Sequence, residues 1–94
     1  MGHIRGPAVA GLFYPDDPRE LAGSVVQYIA DAPTAPVSNP PKAIIAPHAG
    51  YVYSGAIAGR AYAALRQAAN GIERVVLLGP AHRLAFNGLA APEA

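Results

Sequence analysis

The chain is 94 residues long, the size of one small domain, and its seven Lys and Arg against six Asp and Glu leave a net charge of +1. It is 52% hydrophobic and 14% charged, which argues against intrinsic disorder; a soluble domain carries about 25% charged residues. No basic stripe points to a nucleic-acid or membrane-surface partner, and the absence of cysteine excludes a disulfide framework or a cysteine zinc site within this segment.

The N-terminus, Met1 to Pro7, lacks the apolar run of a signal peptide. His3 sits there, outside any chemical pattern. The longest apolar stretch, near Ala56 to Leu65, is cut by Gly59 and Arg60 and falls short of the ~18 residues of a membrane helix. A cysteine-free, leaderless chain fits a reducing, cytoplasmic setting.

Residues 1–15 read as an extended segment with turns, punctuated by Gly6, Pro7, Gly11 and Pro15. A helix is expected over 17–32. Asp17 can cap it, Pro18 suits its first position and Glu20 stands three residues after the cap. Leu21, Val25, Tyr28, Ile29 and Ala32 then recur on one helical face. Pro33 stops it, and 33–41 form a stiff Pro-rich linker.

Residues 42–46 read as a short buried strand ending before Pro47. A loop follows from His48 to Gly55, then a second helix from about Ser54 to Ala69, stopped by Asn70-Gly71. Its apolar positions are Ile57, Ala58, Ala61, Tyr62 and Leu65, with Tyr62, like Tyr28, expected in the core. Arg74 to Leu78 read as a second buried strand, Gly79 to Arg83 as a loop, and Phe86 to Ala90 as the start of a further strand.

Strand, helix, strand makes the expected fold class α/β, with a right-handed parallel βαβ unit over 42–82. A domain of this size buries only about 60–65% of its unfolded surface. The expected fold is therefore a partial domain, completed by something else.

The chemistry centres on position. His48 follows the first strand by two residues and His82 follows the second by four. In a parallel unit both would lie at the carboxyl edge, where open α/β sheets bind ligands. Two imidazoles there could share one metal ion at about 2.0–2.2 Å each. Spacing alone leaves open that these are two loop histidines without a joint role. Tyr51 and Tyr53 could line a pocket beside them. Asp16, Asp17, Glu20 and Asp31 read as helix-end residues, Glu73 and Glu93 as solvated ones, and Ser54 as a helix cap rather than a nucleophile beside His48. Gly50 and Gly55 make no phosphate-binding fingerprint.

Three blocks carry a resemblance: Pro7-Ala-Val-Ala-Gly-Leu-Phe-Tyr-Pro15, Ala46-Pro-His-Ala-Gly-Tyr-Val-Tyr-Ser-Gly55 and Leu78-Gly-Pro-Ala-His82. In this order and spacing they resemble the Memo family, whose prokaryotic members are called AmmeMemoRadiSam system protein B. The resemblance covers the whole chain but only the first third of a family member.

It implies a fold similar to the class III extradiol dioxygenases, which hold non-haem iron(II) with two histidines and a carboxylate. It implies that His48 and His82 are the first two metal ligands and that Phe13 and Tyr53 line the pocket. The metal would be iron(II), with copper or another divalent ion as alternatives, and the third ligand is absent from this chain. Three functions follow: a metal-dependent oxidoreductase in the full-length form, a non-catalytic module for a small molecule or peptide, or an inactive truncated fragment. Two histidines alone leave a catalytic site under-coordinated. Weak metal binding is therefore expected of the 94-residue chain.

Overall fold

The first helix, α1 (Pro18–Ala30), begins at the cap that the sequence supplies. Asp17 Oδ2 accepts from the Glu20 N–H at 2.9 Å, which satisfies one of the donors a helix start leaves free. Asp31 closes the helix: its N–H donates to the Gln27 carbonyl, and Gln27 Nε2 donates to its carboxylate at 2.6 Å. These elements belong to a computed structural model that describes residues 4–33 and 39–91. His3, Glu93 and the middle of the Pro-rich linker, 34–38, lie outside the described residues.

Ahead of α1 the chain doubles back. Gly11 adopts φ 82°, a left-handed conformation open to glycine, and its N–H donates to the Tyr14 carbonyl at 2.7 Å. The Leu12 and Phe13 N–H groups both donate to the Val9 carbonyl. An isolated bridge joins Ala10 and Tyr14. The expected extended segment is thus a tight turn that carries Phe13 to the start of the second helix.

That helix, α2 (Tyr51–Ala63), starts at Tyr51 rather than near Ser54. Gly50 is its N-cap, and the Gly50 carbonyl accepts from the N–H groups of both Tyr53 and Ser54. Tyr51 and Tyr53 are therefore helical, not loop, residues. The helix ends at Ala63, and a 3-10 helix, Arg66–Gly71, takes up the rest of the expected span.

α2 packs against α1. The seam is made by small residues: Ser54, Gly55 and Gly59 are the buried positions of α2, and Tyr28 of α1 lies across the two glycines. The Tyr28 ring meets Tyr51 edge-on, with centroids 5.9 Å apart, and its hydroxyl donates to the Tyr51 carbonyl at 3.3 Å. Arg66 Nη2 donates to the Ile29 carbonyl at 2.6 Å, so the 3-10 helix ties down the end of α1. Ala32, 7% exposed, is the one buried apolar residue among those described. Neither tyrosine is buried as expected: Tyr28 is half-buried in the seam and Tyr62 is 47% exposed, because α2 offers its glycine face to α1.

The expected parallel βαβ unit is not formed. Among the described residues no strand is present; 42–46 and 74–78 carry no regular structure, and neither does 86–90. A strand exists only through the hydrogen bonds of a neighbour, and an apolar run specifies burial without naming the neighbour. The runs are also not buried. Ile45 is 99% exposed, and Val75 to Leu78 are all largely exposed. The chain presents 8605 Å² to solvent. A compact protein of its 9.6 kDa would show about 5,100 Å². Among the described residues no helix is long and apolar enough to cross a membrane.

A candidate metal-binding histidine pair

His48 lies in the segment that leads from Pro47 into α2, two residues before the Gly50 cap. Two contacts define that segment. The Tyr51 N–H donates to the Phe13 carbonyl at 2.7 Å, joining it to the N-terminal turn. Ser54 Oγ reaches back from the first turn of α2 to the Ala49 carbonyl at 2.8 Å. His82 lies in the exposed stretch that follows the 3-10 helix.

The two imidazoles meet. His48 Nε2 and His82 Nε2 are 3.2 Å apart, with ring centroids 5.2 Å apart and planes at 49°. Both residues are exposed. Without a metal, one ring donates its N–H to the bare nitrogen of the other, the tautomers setting the direction.

The spacing also suits two nitrogens on one ion. With metal–nitrogen bonds of about 2.0–2.1 Å, a tetrahedral angle places two donors about 3.4 Å apart and a right angle about 2.9 Å. The observed 3.2 Å falls between these limits. The pair therefore fits two positions of a coordination sphere. Among the described residues no third His, Cys, Asp or Glu joins it to make a group of three.

The aromatic residues are distributed differently. Phe13 is 48% exposed and touches the site through its carbonyl. The Tyr51 ring packs between Tyr14 and Tyr28, with centroids 5.9 Å from each. Tyr53 is 85% exposed. A groove of about 720 Å³ runs along 77–81 and 84–90, and none of Phe13, His48, Tyr51, Tyr53 and His82 lines it. Ser54, read from sequence as a helix cap, lies inside the first turn and bonds outward to the histidine segment. Its signal was its spacing: a serine can bond the carbonyl four or so residues behind it, here within reach of His48.

The arrangement defines a helix-pair scaffold that presents two convergent loop histidines. A family model described as Memo-like protein matches residues 5–93, and the chain belongs to that family. It is 43% identical over 89 residues to a MEMO1 family protein of Aquifex aeolicus, covering 95% of this chain and 30% of that one. It is 42% identical over 90 residues to a MEMO1 family protein of Methanocaldococcus jannaschii, covering 87% and 31%. A protein memo-1 homolog of Caenorhabditis elegans is 38% identical over 88 residues, covering 94% and 24%. The chain thus spans about a third or less of the length of these curated relatives. No solved structure matches it significantly.

Proposed function

We propose that His48 and His82 are two ligands of one non-haem metal ion, and that the family-length protein uses this centre as a metal-dependent oxidoreductase. The 3.2 Å separation of the two Nε2 atoms carries the reading. Two exposed imidazoles from positions 34 residues apart converge nitrogen to nitrogen, at a spacing that serves a ring–ring hydrogen bond without metal and two positions on one ion with it. Iron(II) is the first choice, with copper or another divalent ion as alternatives, since imidazole suits iron, copper and zinc alike. When bound, such an ion supplies Lewis acidity and a redox couple.

The chain's own residues hold and orient that ion. The N-terminal turn and α2 hold His48, and His82 closes the pair. Phe13, Tyr51 and Tyr53, gathered around the start of α2, would line the approach of a small molecule or peptide. A third ligand would have to come from beyond the described residues, so this chain alone binds metal weakly and turns over nothing efficiently. A cytoplasmic, reducing setting is part of the same proposal, since it keeps iron in the ferrous state.

Anaerobic isothermal titration with iron(II) tests the reading. One ion per chain is expected, with an affinity weaker than about 1 μM, or about −8 kcal/mol. His48→Ala and His82→Ala should each remove most of the binding heat. Binding unaffected by either substitution would rule the pair out as ligands.

A further inference from the structure

Ser54 is the one buried polar side chain among the described residues, 6% exposed, and its hydroxyl faces a choice of acceptors. It lies 2.8 Å from the Ala49 carbonyl and 3.3 Å from the Gly50 carbonyl. The Gly50 carbonyl already accepts from the N–H groups of Tyr53 and Ser54 at 2.9 and 3.0 Å. The Ala49 carbonyl, outside the helix, has no other donor among the described residues. The single hydroxyl proton therefore matters most at Ala49, the residue after His48.

The fold behind Ser54 is stiff. Gly55 and Gly59 bring α2 so close to Tyr28 that a Cβ at either would stand 2.6 or 2.5 Å from a Tyr28 atom. A rigid path thus runs from α1 through Tyr28 and the glycines to Ser54, and from Ser54 Oγ to the peptide beside His48. The segment after His48 is hydrogen-bonded to α2 and the N-terminal turn, whereas the stretch that carries His82, 72–91, is exposed throughout.

We infer that Ser54 is a positioning residue of the histidine pair: its hydroxyl fixes the Ala49 peptide and so holds the His48 ring where the His82 ring can meet it. The metal-affinity arm of the test rests on the proposed metal reading; the ring–ring arm does not. Ser54 acts through the backbone: from inside the first turn of the helix its hydroxyl donates to the Ala49 carbonyl.

Three variants isolate the hydroxyl. Ser54→Ala removes it and leaves the best helix former. Ser54→Thr keeps it in a geometry that also bonds backward along a helix. Ser54→Val has the shape of the threonine variant without the hydroxyl. For each, far-ultraviolet circular dichroism reports helix content, the nuclear Overhauser effect between the His48 and His82 ring protons reports the pairing, and anaerobic iron(II) titration reports affinity.

The ring–ring effect should be present in the native chain and in Ser54→Thr and lost in Ser54→Ala, with helix content unchanged. Iron(II) affinity should fall by about 10-fold or more in Ser54→Ala, the loss typical of removing an outer-sphere partner, and return in Ser54→Thr. If Ser54→Ala loses helix content, the matched Thr and Val variants decide, and pairing must survive only in Thr. An unchanged ring–ring effect in the hydroxyl-free variants overturns the inference. A native chain that shows the ring–ring effect but takes up no iron(II) overturns the metal reading and leaves the role of Ser54 to be judged on pairing alone.

Discussion

Gly59 faces the backbone of Tyr28 so closely that a Cβ added to it would stand 2.5 Å from the Tyr28 carbonyl oxygen. Backbone cannot swing aside as a side-chain end can. Gly59→Ala should therefore destabilise the helix pair by about 1–3 kcal/mol, the usual cost of overpacking, despite the gain in helix propensity. Gly23, on α1, has nothing within 4 Å of an added Cβ. Gly23→Ala should stabilise by about 0.5–1 kcal/mol. Urea melts followed at 222 nm should show opposite signs for the two, and equal signs would contradict the packing described.

Asp17 supplies the side-chain cap at the start of α1. Asp17→Ala should cost about 1 kcal/mol, and Asp17→Asn, which keeps an acceptor oxygen, far less. The same melts measure both. An Asn variant as damaged as the Ala variant would show that charge, rather than the hydrogen bond, is at work.

Arg66 reaches back to the Ile29 carbonyl from the 3-10 helix. The contact is exposed, so Arg66→Ala should cost no more than about 1 kcal/mol. Its effect should be local: amide hydrogen exchange should quicken at Asp31 and Ala32, whose N–H groups donate to Gln27 and Ile29, and stay unchanged in the first turn of α1.

Much of this was legible in the sequence, but unevenly. Asp17, Pro18 and the apolar spacing from Leu21 to Ala32 set out α1 because caps and helical periodicity are local. The start of α2 was not, because Gly50 caps through its backbone and leaves no side-chain signature. The glycine seam could have been read from Gly55 and Gly59, four residues apart on one face of an Ala-rich helix. The sheet failed for a physical reason: pairing is non-local, and 42–46 and 74–78 find no partner among the described residues. His48 and His82 were singled out by an argument from strand ends that the structure does not support, yet their rings do meet. The motif blocks around them point to the same two residues independently of any strand.

The pair also makes a quantitative demand. If both rings bind one ion, removing either should cost more than about 10-fold in iron(II) affinity, above the least that an outer-sphere partner contributes. Removing both should cost little more than removing one, because the second ring has lost its shared ion. Two independent single-histidine sites would instead show losses that add.

The most direct measurement is a histidine nuclear magnetic resonance titration with iron(II) or cobalt(II) under anaerobic conditions. The ring signals of His48 and His82 should broaden or shift together and reach a common endpoint at one metal per chain. A response from one ring alone, or separate endpoints at two metals per chain, would contradict the shared site.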